Sequence, residues 1–173
     1  HHPTAVRSTI QAAREFYPGR RIFAIFQPHQ HNRTKMLYKD FLKSFDSADV
    51  LILTEIFDVA GREEKKDQNV SSRGMVEDIK TVIARSRQQA ETKQSRVSCA
   101  SYEIATPCLS KARNDKKGAF LHPDSIFYAA NLFETRKLID EKIKAGDILL
   151  IMGAGDIYKM ADGLVKEQKN KTH

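Results

Sequence analysis

Residues 21–34 read Arg-Ile-Phe-Ala-Ile-Phe-Gln-Pro-His-Gln-His-Asn-Arg-Thr. The run from Ile22 to Phe26 is apolar throughout and too short for a helix, as expected of a strand covered on both faces of a parallel sheet. A polar connection from Gln27 to Arg33 follows. Leu37, Phe41 and Phe45, with Tyr38 and Leu42 beside them, then recur at the three- and four-residue steps of a helix with one buried face. Strand, loop and helix in that order put the loop at the carboxyl end of a parallel sheet, where open α/β folds hold their ligands.

The same grammar recurs along the chain. Upstream, Pro3 suits a first helical turn, and Val6, Ile10, Ala13 and Tyr17 give a buried stripe that Pro18-Gly19 stops. Downstream, residues 49–54 (Asp-Val-Leu-Ile-Leu-Thr) form a second buried strand, and residues 55–69 a charged loop carrying Ala60-Gly61. Ser71-Ser72 offers helix caps, and Met75, Val76, Ile79, Val82 and Ile83 predict a third helix. Residues 125–130 predict a strand, and Asn131 with Glu134 a capping box. The helix that follows carries Leu132, Leu138, Ile139 and Ile143 and ends at Ala145-Gly146. A last strand, Ile148 to Met152, leads through Gly153-Ala-Gly-Asp156 to a helix with Ile157, Met160, Ala161 and Leu164. Alternating strands and helices predict an α/β fold: a doubly wound, mostly parallel sheet flanked by helices, with right-handed crossovers. Residues 1–173 read as a single domain. The pattern fades over 85–122, read as an insertion in which residues 97–104 are a candidate extra strand, and 166–173 read as a frayed tail.

At 173 residues, 40% hydrophobic and 29% charged, the chain can bury one sizeable core. It has no apolar run of membrane-spanning length and no leader pattern at its start, so the expectation is a soluble, cytoplasmic protein. Cys99 and Cys108, outside any CxxC spacing, read as reduced thiols. The net charge of +7 suits an anionic partner. Most basic residues alternate with acids on helices, however. The unbalanced clusters at 85–96, 111–117 and 166–171 carry no interleaved aromatics for stacking bases, which makes nucleic acid an unlikely partner.

The candidate chemistry lies in the loops after the strands. Arg33, near a helix start, suits a carboxylate or phosphate; a solvent-exposed arginine explains the sequence equally well. His29 and His31, with His1 and His2, offer proton acceptors, but without cysteines or regular ligand spacing they predict no metal site. Gly153-Ala-Gly155 resembles half of a GxGxxG turn, with Tyr158 where the third glycine belongs. Two glycines permitting close backbone approach, followed by a capping Asp156, explain it as well. No GxxxxGK[ST] loop occurs, so a nucleoside triphosphate would need another domain.

Four segments together resemble the C-terminal domain of the Mur ligases: His1-His2-Pro3-Thr4; the FQPH-x4-T stretch from Phe26 to Thr34; Ala60-Gly61-x-Glu63 followed by Val70-Ser71-Ser72; and Ile151-Met-Gly-Ala-Gly-Asp-Ile157. The resemblance covers residues 1–84 and 123–165 in the family's order. It implies a Rossmann-like domain of a three-domain, ATP- and Mg2+-dependent ligase, and is strongest to members that join L-alanine to UDP-N-acetylmuramate through an acyl phosphate in peptidoglycan synthesis. The absent N-terminal and central domains would hold the UDP sugar, ATP and metal, leaving this fragment inactive alone, with no catalytic residue or cofactor of its own. On the same resemblance His1, His29 and Arg33 bind the amino acid, Arg33 clamping its carboxylate. His2, Gln30, Ala60, Gly61, Gly153, Ala154 and Gly155 line the site. Gln30 stands where many relatives have a second arginine, and His31-Asn32 where Tyr-Ser or Tyr-Thr is common. The alternative from another class is a non-catalytic basic α/β module that binds nucleic acid or another anionic polymer.

Overall fold

The computed structural model describes residues 1–58, 70–97 and 121–171. Four strands, β1 (Ile22–Gln27), β2 (Val50–Thr54), β3 (Ile126–Ala129) and β4 (Ile148–Gly153), form one parallel sheet in the order β3-β2-β1-β4. The register sets Phe26 beside Leu53 and Gln27 beside Gly153. Every residue of β1 and β2 is buried, which is why both read as unbroken apolar runs.

Helices cover both faces. Along β1, Ile22, Ala24 and Phe26 enter one core with Val6 and Ile10 of α1 (Pro3–Phe16), Phe41 of α3 (Tyr38–Phe41), Phe45 just beyond it, and Met75, Val76 and Ile79 of α4 (Ser72–Val97). Ile25 points the opposite way, into a smaller core with Ile52, Ile139 of α5 (Leu132–Lys142), and Ile157 and Met160 of α6 (Ile157–Lys171). This is the period-two alternation of a strand, with both faces apolar. The rings of Phe41 and Phe45 lie 5.2 Å and 5.5 Å from that of Phe26. Burial of such a side chain contributes about 1.5–3 kcal/mol.

From β1 the chain steps outward to β2 and β3, then crosses the sheet to place β4 on the far side of β1. The strand order therefore reverses between β1 and β4, and the crevice at their carboxyl ends is the topological switch point, the expected ligand position in an open α/β sheet.

Four sequence expectations need correction. The second helix is two short pieces, α2 (His31–Met36) and α3, broken at Leu37. Residues 34, 37, 41 and 45 fit one helix or two turns equally well, so their spacing could not show the break. The third helix runs on through Arg85 to Val97. Its apolar stripe ends at Ile83 because the helix leaves the core, and residues 84–89 are partly or fully exposed; yet 75–97 contain neither Gly nor Pro and are rich in strong helix formers. The expected tail from 166 is helical as far as Lys171. Ser125 belongs to a 3-10 turn, Pro123–Ser125, ahead of β3. The candidate strand at 97–104 lies, apart from the helical Val97, outside the described residues, as do Ala60, Gly61, Cys99 and Cys108. Among the described residues no helix is long and apolar enough to cross a membrane.

Candidate functional site

β1 ends in Gln27, whose side chain is buried. Pro28 has no N–H to pair, but its carbonyl accepts the Phe57 N–H at 2.9 Å, and the Phe57 carbonyl accepts the Gln30 N–H at 2.9 Å. His29 and Phe57 thus form an isolated parallel bridge that ties the loop after β1 to the loop after β2. Gln30 has φ of 59°, the sole positive φ at a non-glycine among the described residues. The left-handed region costs an L-residue roughly 1–2 kcal/mol, offset here by the pairing with Phe57. One residue further, the Asp58 carboxylate lies 2.8 Å from His31 Nδ1 and accepts the His31 N–H at 3.4 Å.

The start of the chain reaches the same place. His2 caps α1, its ring Nδ1 accepting the Thr4 N–H at 3.4 Å. His1 then lies with its ring 5.0 Å from that of His29, and Arg33 Nη1 donates to His1 Nε2 at 2.5 Å. Burial, reinforced by the Arg33 guanidinium, holds His29 below the ordinary histidine value of 6.5, so it is neutral near pH 7. The cluster sets one guanidinium against two imidazoles. Gln27 Oε1, His29 Nδ1 and Thr34 Oγ1 are buried without a hydrogen-bond partner among the described residues. Unpaired buried polar atoms are unfavourable, and these three are groups that a bound ligand or an ordered water would satisfy.

Of the residues singled out in the sequence, the fold brings His1, His29 and Arg33 into contact and turns His31 towards Asp58. The Gly153-Ala154-Gly155 turn closes against protein. A Cβ at Gly153, where φ is 133°, would overlap the Gln27 backbone, and one at Gly155, where φ is 81°, would overlap the Phe57 ring. Gln27 and Thr34 were read only as parts of the FQPH-x4-T stretch, and Phe57 and Asp58 lay unnamed in the charged loop 55–69. An aromatic residue within a charged loop, three positions after a buried strand, was the available signal for Phe57. A separate cluster sits over β2 and β3. There the Tyr128 hydroxyl donates to Glu55 at 2.5 Å, and burial with that bond pushes it up to about 12.

The family model described as "Mur ligase, glutamate ligase domain" matches residues 1–107. The chain belongs to the Mur ligase family. Two curated relatives are both named UDP-N-acetylmuramate-L-alanine ligase. The one from Sulfurihydrogenibium sp. (strain YO3AOP1) is 29% identical over 171 residues, which cover 99% of this chain and 28% of that protein. The one from Alkaliphilus metalliredigens (strain QYMF) is 33% identical over 168 residues, 97% of this chain and 27% of that protein. This Mur ligase chain therefore spans little more than a quarter of the length of the relatives it matches. A crystal structure of a domain assigned to a UDP-N-acetylmuramate:L-alanyl-gamma-D-glutamyl-medo-diaminopimelate ligase from Haemophilus ducreyi 35000HP shares the fold. Its TM-score is 0.51 at 18% identity, over 96% of this chain and 84% of that one.

Proposed function

We propose that this Mur ligase domain supplies the amino-acid site of an ATP-dependent ligase that joins L-alanine to UDP-N-acetylmuramate for peptidoglycan synthesis in the cytoplasm. The observation that carries the reading is the meeting of His1, His29 and Arg33 at the switch-point crevice. The names of the relatives supply the reaction.

The described residues do not fit ATP or Mg2+. At the glycine turn a Cβ on Gly153 or Gly155 would already collide with Gln27 or Phe57, so that face of the turn packs against the chain itself, and among the described residues no group of three His, Cys, Asp or Glu side chains stands ready for a metal. Both groups belong, on this reading, to other domains of the ligase, together with the UDP sugar.

A free amino acid brings a carboxylate and an ammonium. Arg33 is exposed and at the crevice, and its guanidinium is a planar donor matched to a carboxylate. Its contact with His1 would be exchanged for the ligand. The amine attacks an acyl phosphate only after losing a proton, and a neutral imidazole can accept one where an imidazolium cannot. His29, kept uncharged by burial and by Arg33, suits the ammonium end.

In the ligase carrying this domain, Arg33→Ala is expected to raise the KM for L-alanine about ten- to a hundredfold, the loss expected of a charge-assisted hydrogen bond, with a smaller change in kcat. Steady-state kinetics with L-alanine varied at saturating ATP and UDP sugar decides it. An unchanged KM removes Arg33 from the site.

A further inference from the structure

We infer that Phe57 is the positioning residue of the amino-acid site, holding the His29 imidazole in place from the neighbouring strand's loop and from the turn after β4. The inference rests on the proposed site and adds a residue to it.

Phe57 grips His29 in two ways. Its N–H and C=O bond to Pro28 and Gln30, the residues on either side of His29, so the backbone of His29 cannot shift along the crevice without breaking both bonds. Its ring stacks on the His29 ring, with centroids 6.3 Å apart and planes 17° from parallel, inside the 4.5–7 Å range typical of interacting rings. A second constraint comes from the turn after β4, where Gly155 passes so close that any side chain would collide with the Phe57 ring. The ring therefore packs against both that turn and His29. Loops from β1, β2 and β4 meet on this one side chain, at the point where the strand order reverses.

A structural role alone does not account for it. Phe57 is half-buried and belongs to neither apolar core. The grip is continued by the next residue, since Asp58 holds His31 just as Phe57 holds His29, so the two loops run side by side in register. His29 is left with the aromatic face of Phe57 on one side and the His1 ring on another, its Nδ1 buried and unpaired.

The test follows the His29 ring protons of the 173-residue chain by NMR through a pH titration, then through addition of L-alanine. In the native chain a ring-current shift from Phe57 is expected, with titration below the ordinary value of 6.5. Phe57→Leu removes the ring, and Gly155→Ala displaces it from another strand's loop. Each is expected to abolish the ring-current shift, move the titration back towards the ordinary value and weaken L-alanine binding about tenfold; Phe57→Tyr, which keeps a ring, preserves all three. Core methyl signals from Ile10 and Ile139 separate a loosened loop from an unfolded chain. An unmoved His29 signature in both Phe57→Leu and Gly155→Ala overturns the inference, and so does global unfolding of Phe57→Leu, which would make Phe57 a core residue. A native chain that shows the His29 signature but no response to L-alanine overturns the amino-acid reading while leaving the Phe57–His29 coupling in place.

Discussion

His29 and Arg33 are four residues apart in sequence, and their proximity has a consequence for stability. The folded state holds His29 below its ordinary value of 6.5, through burial first and the Arg33 charge second. Around and below that value the unfolded chain binds more protons at this position than the folded one. The contribution is present in full above about pH 7 and is lost as the pH falls through the folded value. The urea midpoint is expected to be lower at about pH 5 than at about pH 7.5, and His29→Gln should narrow the difference. An unaltered difference in the variant would mean that His29 titrates in the fold as it does in the open chain. At this scale the sequence was legible where a side chain carries distinctive chemistry. Arg33 and His29 drew notice as a cation and an imidazole in the loop after a strand, whereas His1 was placed beside them by the resemblance to the Mur ligases; the fold brings the three into contact. Phe57 offered only the local signal of an aromatic in a charged loop and Asp58 none, because their roles depend on a pairing between two loops. The glycines of the β4 turn were read as letting backbone approach a ligand closely; the close approaches they make within the fold are to Gln27 and Phe57.

Among the elements, those with strong local signals came out as read. Asn131 is a clear case. Its Oδ1 accepts the Glu134 N–H at 2.8 Å, and Glu134 Oε2 reaches back to the Ala130 N–H at 2.8 Å, which closes the capping box one residue earlier than the usual form. Asn131→Ala is expected to cost about 1 kcal/mol of stability, and Asn131→Asp much less, in equilibrium urea unfolding. Equal stability of all three chains would show that the cap is dispensable once α5 is packed through Ile139. The elements that were misread lacked such a signal. The break at Leu37 leaves the apolar spacing intact, so periodicity cannot reveal it. The extension of α4 past Ile83 has helical composition but no buried face, so a reading based on apolar stripes stops too early.

For the whole molecule, the alternation of elements implied a parallel sheet but not its strand order. That order is set by where β4 docks, and its register against β1, with Gln27 beside Gly153, is what turns several separate loops into one crevice. On the proposed reading the crevice takes the amino acid, one of the three substrates of the ligase reaction. ATP chemistry requires a phosphate cradle and metal ligands, and the glycine turn here is packed against the chain's own residues. The positive charge does not substitute for them, because it is spread along several helices, where Arg14 pairs with Asp49 and Arg136 with Asp140 and Glu167. Half of a bimolecular site can bind without turning over, since the rate advantage of a ligase comes from holding both reactants in line. The 173-residue chain, given ATP, Mg2+, L-alanine and UDP-N-acetylmuramate, is therefore expected to release no phosphate above the enzyme-free background in a coupled assay. The same chain should still show the His29 response to L-alanine. Alanine-dependent phosphate release by the chain alone would place the nucleotide site within these residues and overturn the division of labour proposed for the domains.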